Sequence, residues 1–409
     1  MRVRPFRALR PEPHVAAAVA AVPYDVVTTE EARELAAGSP LSFLHVTRAE
    51  IGLDSSVDPH DPAVYETARE NLARLRQRAP LVVEAEPSLY VYRLRHGDHV
   101  QTGLAGCYAL DDYEQGVIKK HERTRPEKED DRTTHMVTVR AQTGVVFLTY
   151  RHTATLSERI DAVCAGAPLF DFEAPDQVRH TVWRAATPAT ANLVSAVEAV
   201  PALYIADGHH RAASAARARH ALATHTVRTS TDTYDHDFFL AVAFPDDQTR
   251  ILPYNRVVSE LTGQTGPQFL DAISARLPVT PSLEATPPKG VVAMYLGGRW
   301  YHVGLNRERG SSADPASGLD AALLEEQVLA PVLDIRDIRT DPRVRFVGGV
   351  RGTGELARLV DSGEARVAFS LAPVTVSELL TVADSGGIMP PKSTWFEPKL
   401  RDGLLTHVI

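Results

Sequence analysis

The chain has 409 residues, of which 44% are hydrophobic and 23% are charged, and its formal net charge is -8. This is the composition of a globular protein, and at about 150 residues per domain the length predicts two to three domains. The acidic balance argues against a sequence-independent nucleic-acid binder, which would usually be basic.

Cysteine content and hydropathy predict the compartment. The two cysteines, Cys107 and Cys164, are far apart and lack the spacing of a metal site. We expect buried thiols in a reducing compartment, although one disulfide would also be compatible with the sequence. The N-terminus lacks the apolar stretch of a signal peptide, and no run approaches the ~18 apolar residues of a membrane span. We therefore predict a cytoplasmic protein with neither a membrane nor a nucleic-acid partner.

The first part of the chain predicts two helices and a hairpin. Thr28 and Glu31 have the spacing of an N-terminal capping box. Apolar residues at helical spacing predict a second helix over 62–78. A strand pattern at 89–94 is followed by turn residues at 96–98 and a return strand.

The rest of the chain alternates between strand-like and helix-like segments. Apolar runs at 145–150, 203–206 and 238–244 predict strands, and a basic, alanine-rich helix follows at 209–222. Strands at 292–296 and 300–305 are joined by Gly297 and Gly298, as in a hairpin. The alternation favours a mixed α/β fold, either α/β or α+β.

The segment 203–212 predicts an anion site. An apolar strand ends, Asp207 and Gly208 turn the chain, and a helix begins at once. Backbone N–H groups and the positive end of the helix dipole then point the same way, which favours a phosphate group. The first turn adds three side-chain donors: His209, His210 and Arg211. Asp207 could hold Mg²⁺; the alternative is a capping aspartate with solvated basic neighbours.

A charged segment at 118–132 offers a general base. Thr124 and Glu127 have capping-box spacing, which places Glu122 in the loop just before a helix. A carboxylate there could accept a proton from a substrate hydroxyl. The groups around it could offset phosphate charge: Lys119, Lys120, His121 and Arg123. The alternative is a solvated charged helix, for which mixed signs are normal.

A proline-flanked segment at 389–399 could bind a small charged ligand. It offers a lysine, two hydroxyls and an aromatic ring: Lys392, Ser393, Thr394 and Trp395. Loops carry function disproportionately. The same residues would equally suit a C-terminal segment docked on the core.

Two of these segments resemble the motifs of known kinases. Residues 205–211 are similar to the phosphate-binding motif of the ParB/sulfiredoxin-like superfamily, in the Asp-Gly-His-x-Arg form of the free-serine kinases. The segment 120–122 before a helix resembles the one that carries their catalytic glutamate. The resemblance implies Glu122 as the base and gives the phosphate and metal roles to the turn: Asp207, Gly208, His209, His210 and Arg211, with Asp207 as the Mg²⁺ ligand. His121 and residues 392–395 are predicted as substrate contacts.

A second resemblance covers nearly the whole chain. The segments 22–25, 42–46, 119–132, 205–211 and 389–399 together resemble a bacterial and archaeal family, domain-of-unknown-function family 1015. Its members are similar to the serine kinases, and a pyrophosphate-dependent serine kinase activity has been ascribed to some. The resemblance implies a ParB/sulfiredoxin-like, phosphate-binding core at 111–285, with α/β segments added at 1–110 and 286–409.

The resemblance therefore implies a kinase that phosphorylates free L-serine to O-phosphoserine, using pyrophosphate or a nucleotide such as ADP or ATP, with Mg²⁺. The alternatives are a ParB-like CTP-binding regulator, an NTP hydrolase and a non-catalytic metabolite-binding protein. The quaternary state is left open, with a homodimer as one option. Because Glu122 and Asp207 lie 85 residues apart, the fold must bring them together if both serve one site.

Overall fold

The computed structural model describes residues 1–223, 233–307 and 314–409. The chain forms two compact units. The first comprises residues 1–249 together with 398–409, and the second comprises 250–397. The chain thus leaves the first unit after Thr249 and returns to it at Pro398 for its last twelve residues.

The first unit is built on a nine-stranded mixed sheet. Eight strands follow one another across it in this order: Ile118–Lys119, Leu203–Asp207, Val146–Tyr150, Phe238–Pro245, His99–Ala109, Tyr90–His96, Arg179–Arg184 and Phe170–Glu173. The ninth, Val3–Arg4, pairs with His99–Ala109. Two small antiparallel pairs join Leu9–Pro11 to Leu81–Val83 and Ala141–Gln142 to His407–Val408.

Helices cover the sheet and form an N-terminal cluster. Those of the first unit are Ala16–Val19, Thr29–Ala36, Leu44–Thr47, Pro62–Arg78, Leu110–Glu114, Pro126–Val139, Ala154–Cys164, Thr187–Glu198 and His209–Ala223. The main core packs helix residues such as Leu156, Leu193 and Ala212 against strand residues such as Leu148 and Ile205. Burial of such side chains, about 25 cal/mol per Å² of apolar surface, holds the helices on the sheet.

The second unit contains an antiparallel six-stranded sheet. Its strand order is Val279–Ser282, Arg299–Gly304, Val291–Leu296, Val367–Leu371, Tyr254–Val258 and Val344–Gly348. A separate pair joins Ile251–Leu252 to Trp395–Phe396. The helices are Gly266–Ser274, Asp320–Leu324, Ala330–Leu333, Gly352–Asp361 and Val376–Asp384, with a π-helical turn at Glu325–Leu329.

The mixed α/β fold predicted from the sequence is confirmed. The helix Pro62–Arg78, the hairpin Tyr90–His96/His99–Ala109 and the capping box from Thr28 to Glu31 are all present. The three predicted segments do not coincide with the two units, because strands from 1–110 and from 111–285 share one sheet. Among the described helices, none combines the length and apolar character needed to cross a membrane.

The capping box predicted at Thr124 and Glu127 is wrong. The helix begins at Pro126 with Arg125 as its N-cap, and no side chain caps it. Arg125 is extended, as the residue before a proline prefers to be, and this places Thr124 outside the capping position. The Thr124 hydroxyl instead donates to the Glu129 carboxylate one turn further on.

Candidate functional site: a strand-to-helix turn faced by a carboxylate

Strand pairing brings the two predicted motifs together. Ile118–Lys119 runs parallel to Leu203–Asp207, with Leu203 opposite Ile118 and Tyr204 opposite Lys119. Parallel neighbours end at the same edge of a sheet. The loop that carries Glu122 and the turn that carries Asp207 therefore emerge side by side, despite the 85 residues between them.

The turn after Asp207 depends on a glycine. Gly208 has φ +95°, a conformation that side-chain-bearing residues rarely adopt, and the helix His209–Ala223 begins immediately afterwards. A Cβ on Gly208 would also lie 3.2 Å from Cζ of Arg211. The turn thus aims the first N–H groups of a long helix at the edge of the sheet, where an anion is favoured.

Gly208→Ala should destabilise the protein by about 1–3 kcal/mol, because the alanine must adopt a strained backbone conformation. Gly52→Ala is the matched control, since Gly52 does not have a positive φ and a Cβ added there would meet no atom within 4 Å. Urea unfolding of both variants measures the difference. Equal stabilities for the two variants would contradict the assignment of strain to this turn.

The two histidines of the turn hold the Glu122 loop. The His121 N–H donates to Nε2 of His209 (3.4 Å), and the Arg125 N–H donates to Nε2 of His210 (3.0 Å). A backbone N–H can only donate, so each Nε2 acts as an acceptor and a neutral ring carries its proton on Nδ1. The sequence predicted both histidines as phosphate ligands, and that role stays a prediction.

Glu122 faces His209. Its Oε2 lies 3.9 Å from Nδ1 of His209, the atom that carries the proton, and its side chain is about one-third exposed. Burial lowers the pKa of His209, and the neighbouring His121 lowers it further. Burial also lowers the pKa of His121 to about 4. Both rings are therefore neutral near pH 7, whereas the Glu122 carboxyl group is partly exposed.

Arg211 is held by protein acceptors. One guanidinium nitrogen donates to the Val145 carbonyl, and the other terminal nitrogen donates to Oδ2 of Asp25 (2.9 Å) and lies 3.7 Å from Oδ2 of Asp207. Its side chain is only 6% exposed. Although burial opposes the charged form, Asp25 and Asp207 raise the pKa of Arg211 above its usual value. Arg211 therefore holds the turn in place through contacts within the protein. Its role as a phosphate ligand stays a prediction.

Asp207 also binds a lysine from the end of the chain. Nζ of Lys399 donates to Oδ2 of Asp207 at 2.8 Å, and the lysine side chain is 15% exposed. Burial would raise the pKa of Asp207, but Lys399 and Arg211 together lower it well below its usual range. Asp207 is therefore a carboxylate at all physiological pH values.

Three charged residues of this site were not among the site residues predicted from the sequence. Asp25 lies in the segment 22–25, and Lys399 and Asp402 lie at and beyond the end of 389–399. Asp402 is 1% exposed, and burial and nearby Asp25 raise its pKa to about 7, against the opposing effect of Arg211. For Lys399 and Asp402, the available signal was a charged residue next to apolar residues near the C-terminus.

Asp402→Asn should change the pH dependence of stability. Between its ordinary pKa and about 7, the folded protein holds a proton on Asp402 that the unfolded chain releases, so the free energy of unfolding falls as pH rises through this window. The fall is at most about 1.4 kcal/mol per pH unit, and the asparagine variant should not show it because its side chain does not titrate. Urea unfolding of both proteins across this range measures it, and a stability difference independent of pH would refute it.

The remaining predicted cations lie at the margin of this site. Nζ of Lys119 is 5.8 Å from the ring centroid of Tyr204, and Nζ of Lys120 is 4.0 Å from that of Tyr113. Burial lowers the pKa of Lys120. Arg123 is exposed. Their roles in offsetting phosphate charge stay predictions.

The predicted substrate contacts near the C-terminus belong to the second unit. There, Ser393 donates to the Pro390 carbonyl (2.6 Å), and Nε1 of Trp395 donates to Oε2 of Glu397 (2.9 Å). Nζ of Lys392 lies 5.7 Å from the ring centroid of Tyr254. A substrate-binding role for Lys392, Ser393, Thr394 and Trp395 stays a prediction.

Three side chains at the turn could hold a metal ion. One ligand atom from each of His121, Glu122 and His209 lies within 4.8 Å of the others. However, Nδ1 of His209 carries a proton while Nε2 accepts from the His121 N–H. To bind a metal through Nδ1, the ring would have to give up that proton, and with the proton moved to Nε2 the hydrogen bond from His121 would be lost. Of these three residues Glu122 alone offers oxygen, the ligand type that Mg²⁺ prefers.

The sequence matches the family described as "Protein of unknown function (DUF1015)" over residues 3–322. The chain belongs to this family. The match includes the loop of Glu122 and the turn of Asp207, so both halves of the candidate site lie within it. No curated protein matches the chain.

Several solved structures are similar to this DUF1015 protein. A conserved hypothetical protein from Pyrococcus furiosus is 12% identical and has a TM-score of 0.36, covering 73% of this chain and 93% of that one. A free serine kinase in complex with AMP is 12% identical with a TM-score of 0.37, covering 73% and 90%. SbnI with a C-terminal truncation, from Staphylococcus aureus, is 13% identical with a TM-score of 0.39, covering 73% and 85%. These likenesses are distant.

Proposed function

We propose that this protein is a small-molecule kinase that transfers a phosphoryl group to the hydroxyl of free L-serine. The observation that carries the proposal is the approach of Glu122 to the start of the helix His209–Ala223, with 3.9 Å between Oε2 and Nδ1 of His209. A carboxylate base and an anion-binding turn are the two parts that phosphoryl transfer to an alcohol needs. The choice of serine rests on the motif resemblance.

The donor phosphates bind at the turn. The N–H groups of the first helical turn and the positive end of the helix dipole favour negative charge. Gly208 lets the backbone approach the phosphate closely. Arg211, fixed by Asp25 and the Val145 carbonyl, keeps the turn rigid while the donor binds. Pyrophosphate and a nucleoside diphosphate both fit this description, because both present a terminal phosphoryl group.

Glu122 accepts the proton of the serine hydroxyl. The hydroxyl oxygen then forms a bond to phosphorus, and the phosphorus–oxygen bond of the donor breaks. The leaving group is phosphate from pyrophosphate, or the nucleoside monophosphate from a diphosphate. His209, with its proton on Nδ1, faces the Glu122 carboxylate and keeps it oriented as an acceptor.

Mg²⁺ would accompany the donor. Asp207, whose Oδ2 is approached by Lys399 and Arg211, would be the residue that holds the ion. A divalent cation supplies positive charge to the phosphate oxygens when it is bound. The carboxylate of Asp207 remains ionised, as a ligand for Mg²⁺ must be.

Phosphorus NMR tests the proposal. The protein is incubated with L-serine, Mg²⁺ and, in separate samples, pyrophosphate, ADP, ATP or CTP. Formation of O-phosphoserine in any sample supports the kinase. Donor hydrolysis without O-phosphoserine would identify a hydrolase, and nucleotide binding without turnover would identify a regulator. Either result would overturn the proposed function.

A further inference from the structure

A cavity of about 670 Å³ lies in the first unit, at the end of the main sheet away from the turn. One wall is formed by three neighbouring strands: Tyr90–His96, Arg179–Arg184 and Phe170–Glu173. The other wall is the end of the helix Ala154–Cys164 and the chain that follows it. A volume of several hundred Å³ is that of a small-molecule site.

Three arginines line this cavity. Arg93 and Arg95 are two residues apart on one strand, so they project from the same face of the sheet. Arg179 lies directly opposite Arg95 on the neighbouring strand. Like charges directly opposite one another destabilise a sheet. The wall therefore concentrates positive charge that strand pairing alone would disfavour.

The charge of Arg179 is balanced within the protein. Its Nε and one terminal nitrogen donate to the two carboxylate oxygens of Asp171, at 2.8 and 2.6 Å. By contrast, neither Arg93 nor Arg95 forms an ion pair with any residue that the structure describes. Two of the three positive charges in the cavity are thus left without a counter-charge from the described chain.

Arg93 is held in a defined orientation. Its Nε donates to Oγ1 of Thr102 at 3.0 Å, and its guanidinium carbon lies 5.0 Å from the ring centroid of Trp183. Trp183 is itself fixed, because it is 6% exposed and its Nε1 donates to the Gly166 carbonyl at 3.1 Å. These contacts use Nε and one face of the guanidinium group. Within the described residues, no acceptor meets its two terminal nitrogens.

The charges in the cavity favour a ligand with two negative charges. A guanidinium group binds a carboxylate or a phosphate through two parallel hydrogen bonds. Because Arg93 and Arg95 are adjacent on one face, a compact dianion can contact both at once. The indole ring of Trp183, which also lines the cavity, supplies apolar surface for the rest of a small molecule.

We propose that this cavity is a second ligand site, in which Arg93 and Arg95 bind a small metabolite that carries two negative charges, as a phosphate ester or as a dicarboxylate. The site goes beyond the proposed kinase function and does not depend on it. Three strands separate Tyr90–His96 from Leu203–Asp207 in the sheet. At about 4.8 Å per strand, these two strands lie roughly 20 Å apart.

Calorimetric titration with inorganic phosphate and with succinate tests the site. Phosphate should bind if the ligand is a phosphate ester, and succinate should bind if it is a dicarboxylate. Arg93→Gln and Arg95→Gln should each weaken that binding by about 10- to 100-fold, the effect of losing charge-assisted hydrogen bonds. If neither anion binds, or if either variant binds as the unaltered protein does, the proposal is wrong.

Arg184→Gln is the matched control. Arg184 follows Trp183 on the strand Arg179–Arg184, but it pairs with Glu84 at 3.5 Å and does not line the cavity. Its replacement removes one positive charge from the same part of the sheet, so anion binding should be retained. A loss as large as that in Arg93→Gln would indicate general electrostatic attraction and overturn the site. Thermal unfolding of each variant confirms that it is folded.

Glu173→Gln should have the opposite effect. Glu173 lines the same cavity and is exposed. Removal of its negative charge should strengthen anion binding by about 2- to 5-fold, the range expected for an exposed charge pair. A substitution that only disturbed the wall would not strengthen binding. Weaker or unchanged binding in this variant would contradict a ligand that is held by charge in the cavity.

The titration and the NMR assay report on different residues. If O-phosphoserine forms but Arg93→Gln and Arg95→Gln bind both anions normally, the kinase proposal stands and the second site falls. If both variants lose anion binding but the protein makes no O-phosphoserine, the second site stands and the kinase proposal falls. Phosphate bound at the turn would contribute equally to all variants, so their comparison isolates the cavity.

Discussion

Glu122→Gln should lower the turnover of serine phosphorylation by about 10²- to 10⁴-fold, the contribution of a positioned general base. Glutamine has nearly the same shape and can still lie against His209, but it cannot accept the hydroxyl proton. Donor affinity should change little, because the proposed donor site is the start of the helix His209–Ala223. Steady-state kinetics with serine, together with donor titration, measure the two effects separately.

Glu127→Gln is the control for this change. Glu127 lies in the first turn of the helix Pro126–Val139, is exposed, and pairs with Arg125 at 3.5 Å. Its replacement removes the same charge from the same segment without touching the turn. Turnover should be retained. If Glu122→Gln turns over as fast as Glu127→Gln, Glu122 is not the base.

Elements whose signal is local could be predicted from the sequence. The helix Pro62–Arg78 has apolar residues at helical spacing along its whole length, and it forms as expected. The hairpin Val291–Leu296/Arg299–Gly304 turns at Gly297 and Gly298, which both have positive φ. Periodicity and turn chemistry were sufficient there because neither depends on distant residues.

The strand-to-helix turn at Asp207 and Gly208 was predictable for the same reason. An apolar strand, an Asp-Gly pair and an alanine-rich helix follow one another along the chain, and the structure has the strand at Leu203–Asp207 and the helix at His209–Ala223. The partners of its side chains within the protein were not predictable, and their roles as phosphate ligands stay predictions. His209, His210 and Arg211 bind other parts of the protein, and the sequence does not specify those partners.

Long-range contacts account for what could not be predicted. Glu122 reaches the turn only because Ile118–Lys119 pairs with Leu203–Asp207, and parallel pairing across 85 residues leaves no local pattern. Lys399 reaches Asp207 only because the chain returns to the first unit after residue 397. Both partners lie in segments that the sequence had singled out, but their contacts depend on sheet topology.

Arg211→Met should lower the free energy of unfolding by about 1–3 kcal/mol, the usual effect of leaving the hydrogen-bond partners of a buried group unsatisfied, because Arg211 is 6% exposed although Asp25 is 35% exposed. Methionine is apolar and flexible enough to occupy much of the same space. It leaves Asp25 without its donor at 2.9 Å and the Val145 carbonyl without its own. Urea unfolding measures the loss.

Arg217→Met is the control on the same helix. Arg217 pairs with Glu129 at 3.1 Å and with Asp130, but its side chain is 41% exposed. Exposed ion pairs contribute about 0–1 kcal/mol, because water solvates both partners once they separate. Arg211→Met should therefore cost several times more than Arg217→Met. Similar losses for the two variants would show that Arg211 does not organise the turn.

Combining Arg211→Met with Asp25→Asn should recover part of the lost stability. The single variant leaves the Asp25 carboxylate, which is near enough to Asp402 to raise its pKa, without the cation that balances it. Removing the charge of Asp25 relieves that repulsion, so the double variant should be more stable than the sum of the two single losses predicts. Strict additivity would mean that Arg211 stabilises the protein by packing alone. A positive coupling would show that the ion pair between Arg211 and Asp25 itself stabilises the fold.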